Sequence, residues 1–153
     1  YCVGGAYCLV QFCDLAVAAE NADFFYPEAQ LGFCGGLIAS TAARIPHKIA
    51  MELMLTGKHF DAQRAYEVGM VNQVVPVGKQ VDVAMDYAKI LANSAPLVVG
   101  MIKRFVRDTV TPKGPSELHA LARAELFTIR NSEDQQEGGA AFREKRTPIF
   151  KGR

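Results

Sequence analysis

The sequence predicts an α/β domain in which short strands and turns occupy the first half and helices dominate the second half. Two observations support this prediction. Short apolar or aromatic runs near the N-terminus are bounded by glycine, proline or polar residues, which is typical of buried strands. Further along the chain, apolar residues recur at helical spacing, and glycines and prolines separate the successive helices.

The predicted elements begin close to the N-terminus. Gly4 to Asp14 is expected to form a tight turn followed by a buried helix. Two buried strands are predicted at Asp14–Ala19 and Ala22–Tyr26, and Pro27 ends the second one. Residues 30–36 contain three glycines and are predicted to form a loop.

Helices and one strand are predicted next. Helical spacing begins at Leu37 and resumes after Pro46, and Gly57 follows the last turn as a helix stop. Asp61 is a good N-cap for a further short helix. A short strand is predicted at Met70–Val75, directly before a proline.

The chain after residue 76 is predicted to be helical, which divides it into a core region at 1–76 and a helical region at 77–153. Ser94 is expected to cap one of these helices, with Pro96 in its first turn. The other predicted helices are Gln80–Asn93, Ser116–Arg130 and Asn131–Arg146. Because the few strands cannot complete a sheet, we expect partner strands upstream of Tyr1.

The composition argues against several functional classes. The chain has 17 Lys and Arg against 16 Asp and Glu, and this near-neutral balance gives no long-range field that attracts nucleic acid or a membrane surface. No uncharged apolar stretch reaches about 18 residues, the length of a membrane-spanning helix. The cysteines and histidines show no zinc-site spacing, so no metal is predicted. Reduced, buried thiols are expected, which suits a cytoplasmic protein.

Three features near the N-terminus can support chemistry. Gly4 and Gly5 open a helix whose unpaired N–H groups suit an oxyanion, although a tight turn explains the pair more simply. Glu28 follows Pro27 in apolar company, which raises the pKa of a carboxyl and suits proton transfer; an exposed loop glutamate is the simpler alternative. Residues 31–36 either fold over a substrate or form a plain connecting turn.

Longer motifs stand in order along the chain and include these features. The first three are Y-x-x-G-G-x at Tyr1–Ala6, C-D-L-A-V-A-A-E at Cys13–Glu20 and A-D-F-x-x-P-E-x-x-L-G at Ala22–Gly32. They are followed by A-M-E-L-M-L-T-G-K-x-F-D-A-Q-x-A-x-E-x-G-M-V-N-x-V-V-P at Ala50–Pro76 and E-G-x-x-A-F-x-E-K-R-x-P-x-F-K-G at Glu137–Gly152. This ordered set resembles the enoyl-CoA hydratase/isomerase family, the crotonases. The resemblance extends over the whole chain.

The resemblance implies a crotonase-like β-β-α spiral, of which this chain is expected to be the C-terminal portion, and a helical region that packs into trimers or dimers of trimers. It also implies an acyl-CoA thioester substrate and no cofactor, because coenzyme A is part of the substrate. Two backbone N–H groups would hold the thioester oxygen as an enolate forms. One corresponds to Gly5, and the other is expected upstream of this chain. Glu28 would be the proton-transfer group.

The chain departs from the family pattern at the position of a second glutamate. Hydratases commonly carry it three residues after the oxyanion glycine, and this chain has Cys8 there. A thiol is a weak hydrogen-bond partner and does not readily orient water, so a buried small residue is the simplest interpretation of Cys8. A single carboxylate makes the chain similar to the double-bond isomerases. Pro27 and Gly36 are expected to line the acyl pocket, whose loop is about two residues shorter than in many relatives.

Two residues of the second half match family contacts with coenzyme A. Lys145 matches a lysine that reaches the phosphates, although it is equally a solvated helix lysine. Phe127 matches an aromatic residue that lies against coenzyme A, although it could equally be a core residue. Two further hypotheses stay open: a non-catalytic acyl-CoA-binding or oligomerisation module, and a family hydrolase or decarboxylase.

Overall fold

The structure is a computed structural model that describes residues 1–33, 41–110, 126–127 and 129–153. Its strands are β1 (Cys2–Val3), β2 (Val17–Ala19), β3 (Asp23–Phe25), β4 (Phe60–Asp61) and β5 (Gln73–Val75). Its helices are α1 (Gly5–Phe12), α2 (Thr41–Arg44), α3 (His47–Thr56), α4 (Ala62–Glu67), α5 (Gln80–Ala92), α6 (Pro96–Phe105) and α7 (Glu133–Glu144). A π-helical turn at Val106–Val110 continues α6.

The strands form two small sheets. In the first, β3 lies between β1 and β4, parallel to β1 and antiparallel to β4. In the second, β2 pairs in parallel with β5, so residues more than fifty positions apart along the chain become neighbours. Because parallel strands point the same way, the residues that follow β1 and β3 leave the sheet at the same edge.

The core lies between the sheets and helices α1 to α4. Tyr7, Leu53 and Phe60 are almost completely buried there. The Tyr7 hydroxyl donates a hydrogen bond of 3.1 Å to Oγ1 of Thr41, which is also fully buried. This bond joins α1 to α2 and satisfies both hydroxyl groups inside the core.

Local signals in the sequence predicted two helix ends correctly. Gly57 follows α3 in the left-handed conformation at φ 63°, and its N–H donates to the Leu53 carbonyl. The Asp61 side chain caps α4 by accepting a hydrogen bond of 2.7 Å from the Arg64 N–H. Both are the capping arrangements expected of these residue types.

The structure also corrects several expectations. Strand β1 was not predicted, because its two residues are too few to show a pattern. Ser94 does not cap the helix that follows: its hydroxyl donates to the Ile90 carbonyl at the end of α5, and Ala95 holds the cap position before Pro96. The helix predicted at Gln80–Asn93 is confirmed as α5, and its apolar residues Val81 and Met85 are exposed at 62% and 51%.

Some predicted elements fall wholly or partly outside the described residues. This applies to the start of the helix predicted from Leu37 and to most of the helix predicted at Ser116–Arg130. Among the residues described, none of the helices has the length and apolar character needed to cross a membrane.

Candidate active site

The pairing of β1 with β3 brings the glycine pair against the segment that carries Glu28. Val3 is in register with Phe25, so Gly4 and Glu28 follow neighbouring strands at one edge of the sheet. A Cβ atom built on Gly4 would lie only 3.0 Å from Oε1 of Glu28. Gly4 also has φ 53° and ψ −114°, a conformation that other residues rarely adopt. Glycine is therefore required here both by backbone conformation and by contact with the carboxylate.

Glu28 is buried, with 8% of the residue exposed. Its Oε2 atom has no hydrogen-bond partner among the described residues. Burial raises the pKa of Glu28, and a backbone hydrogen bond opposes this effect without cancelling it. A carboxyl group with a raised pKa exchanges a proton more readily near neutral pH, which is the property required of a general acid or base.

Gly5 is the first residue of α1 and is exposed. Its N–H belongs to the first turn, where the amide groups have no carbonyl partner within the helix and carry a partial positive charge. A Cβ atom built on Gly5 would meet none of the described residues within 4 Å, so they leave room for a ligand to approach this backbone. The location suits an oxyanion donor.

A cleft of about 710 Å³ lies beside Glu28. Its walls come from the turn after Glu28, from the helical residues around Phe127 and Ile129, and from the C-terminal residues Gly152 and Arg153. This volume is within the range of small-molecule sites. Phe127 is 72% exposed, so its ring borders the cleft and is not part of the core. The structure therefore brings two of the predicted site residues, Glu28 and Phe127, to one cleft.

The other predicted site residues are placed differently. Pro27 is half-buried beside Glu28, and its carbonyl accepts a hydrogen bond of 2.9 Å from the Gln30 N–H. Lys145 is exposed in the left-handed conformation, φ 54°, just after α7, and it does not line the cleft. Gly36 lies outside the described residues. The roles predicted for all of these residues stay predictions.

The thiols differ from expectation in part. Cys8 is 5% exposed and belongs to the core cluster, as expected for a small packing residue. Cys2 is half-buried, but Cys13 is exposed at the end of α1, so the expectation that all the thiols are buried is wrong. Cys34 lies outside the described residues. Within the described ranges, no group of three potential metal ligands comes together.

The sequence analysis did not identify the contribution of α7 to the cleft. Asp134, in the first turn of α7, accepts hydrogen bonds from the N–H groups of Lys151 at 2.6 Å and Gly152 at 2.7 Å. These bonds fix the C-terminal residues against the helix, and there they form one wall of the cleft. The adjacent glycines Gly138 and Gly139 inside a helix were the available signal, because glycine in a helix interior indicates close backbone packing.

Comparison with known proteins identifies the family. The sequence profile described as enoyl-CoA hydratase/isomerase matches residues 1–153. This chain belongs to the enoyl-CoA hydratase/isomerase family. Carnitinyl-CoA dehydratase from Proteus mirabilis (strain HI4320) is 36% identical over 159 residues, which cover 100% of this chain and 60% of that protein. The chain therefore spans less than two thirds of the length of this relative.

Solved structures of family members share the fold. The crystal structure of carnitinyl-CoA hydratase from Mycobacterium avium superposes with a TM-score of 0.90 at 34% identity, covering 99% of this chain and 59% of that one. A structure of methylmalonyl-CoA decarboxylase in complex with 2-nitronate-propionyl-CoA gives a TM-score of 0.81 at 31% identity, covering 99% of this chain and 59% of that one. The expected crotonase fold is confirmed. The matches do not support the narrower prediction that the chain is the C-terminal portion of the family domain.

Proposed function

We propose that the intact protein is an enzyme that acts on an acyl-CoA thioester through an enolate held in an oxyanion hole. The observation that carries this proposal is Glu28, a buried carboxyl with an unpaired oxygen, placed against Gly4 and beside an open cleft. The likeness to carnitinyl-CoA dehydratase favours hydration or dehydration of an enoyl-CoA within this class.

In the dehydration direction, the Glu28 carboxylate takes the proton from the α-carbon of a 3-hydroxyacyl thioester. The electron pair of the broken C–H bond moves into the enolate, and the N–H of Gly5 donates to the enolate oxygen. The family resemblance implies a second backbone donor to the same oxygen. Glu28 then gives its proton to the departing hydroxyl group, so that water leaves, the double bond forms and the carboxylate is restored.

Double-bond isomerisation would use the same carboxylate. Glu28 would take a proton from one carbon and return it to another, through the same enolate. Cys8 motivates this second candidate, because it stands where hydratases of the family commonly carry their other glutamate and is buried in the core. The two reactions are distinguished by their substrates: a 2-enoyl-CoA is hydrated, and a 3-enoyl-CoA is isomerised.

The binding of coenzyme A is proposed to involve Phe127 and Lys145. Phe127 presents an exposed ring to the cleft that holds Glu28, where it can lie against an extended thioester. Lys145 would contact phosphate groups from its exposed position after α7. We further propose that the intact protein forms a trimer or a dimer of trimers, the assembly implied by the family resemblance.

The proposal is tested by replacing Glu28 in the intact protein. Glu28→Gln keeps the size of the side chain but removes its ability to transfer a proton, so kcat/KM should fall by about 10²–10⁴-fold. Glu20→Gln is the matched control, because Glu20 is exposed and lies outside the cleft. Suitable assays are hydration of crotonyl-CoA, dehydration of carnitinyl-CoA and isomerisation of a 3-enoyl-CoA.

Full activity of Glu28→Gln on all substrates that the unaltered protein turns over would refute the proposal. A third candidate is decarboxylation, which the similarity to methylmalonyl-CoA decarboxylase favours. In that reaction carbon dioxide leaves the α-carbon, and the same enolate is then protonated. Release of carbon dioxide from a 2-carboxyacyl-CoA without hydration of crotonyl-CoA would support it. Tight acyl-CoA binding with no turnover of any thioester would identify a binding module.

A further inference from the structure

Helix α7 meets the turn after Glu28 through two glycines. A Cβ atom built on Gly138 would overlap the carbonyl oxygen of Leu31 and would lie 2.5 Å from its carbonyl carbon. A Cβ atom on Gly32 would lie 2.5 Å from the carbonyl oxygen of Asp134, and Gly32 itself has φ 65°. Each backbone therefore packs directly on the other. The obstructing atoms are backbone atoms, which cannot move aside as the end of a flexible side chain can.

The turn that α7 contacts is hydrogen-bonded to Glu28 itself. The Glu28 carbonyl accepts from the N–H of Leu31 at 3.1 Å and from the N–H of Phe33 at 3.0 Å. Any displacement of Leu31 away from the helix is therefore transmitted to the backbone of Glu28 through a turn of only a few residues. The C-terminal part of the cleft lining is fixed to the same helix, because the Asp134 carboxylate accepts hydrogen bonds from the N–H groups of Lys151 and Gly152.

We infer that Gly138 is a positioning residue for Glu28. Its missing side chain lets α7 approach the Leu31 carbonyl, and this contact sets where the Glu28 carboxylate lies relative to the cleft and to Gly4. The expected effect on kcat rests on the proton-transfer role that we propose for Glu28. The structural part concerns the position of the carboxylate and is measurable without turnover.

Two neighbouring alanine substitutions test this inference in the intact protein. Gly138→Ala places a methyl group against the Leu31 carbonyl and pushes the turn away. Gly139→Ala is the matched control, because it lies in the same helix. Among the residues that the structure describes, its new methyl group would meet only the end of Arg143, at 3.5 Å, an ordinary contact. Both changes favour the helix equally, because alanine has the higher helix propensity. Any difference between the two variants therefore reports the contact.

The expected result is a selective loss in Gly138→Ala. A displacement on the order of 1 Å should lower kcat by about 10²-fold with a smaller change in KM. The displaced turn should also let water reach Glu28, and the added solvation should lower the pKa of its carboxyl toward the ordinary value. The Glu28 limb of the kcat–pH profile should then move to lower pH. The carboxyl ¹³C signal of Glu28, identified by its loss in Glu28→Gln, should titrate at lower pH. Gly139→Ala should match the unaltered protein in all of these measurements.

The outcomes separate this inference from the proposed function. If Gly138→Ala folds and matches Gly139→Ala in kcat, pH profile and Glu28 titration, the positioning role is wrong. If Glu28→Gln keeps full activity, the proposed function fails, but the titration of Glu28 in Gly138→Ala still tests the contact.

A second pair of variants covers the case in which Gly138→Ala does not fold. Gly32→Asn probes the same contact from the turn, since asparagine tolerates a positive φ but its Cβ would meet the Asp134 carbonyl. Gly69→Asn is its control, since Gly69 has φ 79° and no described residue lies within 4 Å of the new Cβ. If Gly138→Ala and Gly32→Asn both fail to fold while their controls fold, the contact serves folding alone and the positioning role is rejected.

Discussion

Replacing Glu28 with glutamine should stabilise the protein at neutral pH while it removes the proton transfer that we propose for this residue. The folded state buries the Glu28 carboxyl, leaves its Oε2 atom without a partner among the described residues and raises its pKa. Because the folded pKa lies above that of the unfolded chain, the favourable contribution of the neutral carboxyl is complete below the unfolded pKa of about 4.5. It is lost as the pH rises through the folded pKa.

The size of the effect follows from the burial. A buried, unpaired polar group lowers the free energy of unfolding by about 1–3 kcal/mol. At a pH above the folded pKa, a carboxyl whose pKa is raised by one pH unit lowers it by about 1.4 kcal/mol. Glutamine has no charge to desolvate, so the pH-dependent part of this cost disappears in Glu28→Gln. For a domain of this length, each kcal/mol moves Tm by about 2–4 °C. The quantity of interest is the Tm of Glu28→Gln minus the Tm of the unaltered protein. We expect this difference to be several degrees larger at pH 7 than at pH 4.

Thermal unfolding of both forms between pH 4 and pH 8 measures this difference, with Glu20→Gln as the exposed control. Introducing an amide also has effects on Tm that do not depend on pH. These effects cancel, because the comparison uses only how the Tm difference between the two proteins changes from pH 4 to pH 7. A difference in Tm that is constant over this range, or that falls as the pH rises, would show that Glu28 is not held in an environment that disfavours its charge.

Two further predictions concern contacts away from Glu28. Tyr7→Phe leaves Oγ1 of Thr41 without its buried partner and should lower the free energy of unfolding by about 1–3 kcal/mol in chemical denaturation. Hydrogen bonds from Arg146 and from the Ile149 N–H lower the pKa of Glu137 to about 2. The contact between Glu137 and the C-terminal residues should therefore persist at pH values above the ordinary pKa of a glutamate, about 4.5, and weaken as the pH falls toward 2. Hydrogen exchange measures this, because the Ile149 amide should then exchange faster relative to its intrinsic rate.

Each of these predictions has a control in the same chain. Tyr66→Phe changes a half-exposed tyrosine and should alter the free energy of unfolding by less than about 0.5 kcal/mol. Glu137→Gln should accelerate exchange of the Ile149 amide already at pH 6, and Glu67→Gln, at an exposed position, should not. An Ile149 amide whose protection is the same at pH 6 and pH 2, or in Glu137→Gln, would contradict the role given to this carboxylate.

The features that could be predicted from sequence depend on residues close together in the chain. The Asp61 cap bonds to an N–H three residues away, and Gly57 donates to a carbonyl four residues before it. Such signals are local, so a single sequence contains all that is needed to find them. The placement of Glu28 after a buried strand is similar in kind. The aromatic residues before it predicted the strand and therefore the apolar surroundings of the carboxyl.

The features that could not be predicted depend on pairs that are distant in sequence. Gly138 packs on Leu31, more than one hundred residues earlier, and composition gives no sign of that pairing. The helix at α5 was predicted correctly, but the sequence does not tell what lies against its apolar residues. Its apolar residues recur at helical spacing, but spacing alone does not tell whether anything lies against them, and in this chain Val81 and Met85 are exposed. Periodicity predicts a face, and only the tertiary structure determines what covers it.

Glycines link the local and the distant contacts around Glu28. Gly4 makes room for the carboxylate itself, and Gly32 and Gly138 let the turn after it rest on α7. The carboxyl group thus lies close to the Gly4 backbone, yet one of its oxygens receives no hydrogen bond from the described residues. A sequence selected for stability alone would pair or expose this group, since either choice removes the desolvation cost. A buried carboxyl with an unpaired oxygen is the arrangement expected of the proton-transfer group that we propose. The paired alanine substitutions at Gly138 and Gly139 test whether the glycine contacts serve this role or packing alone.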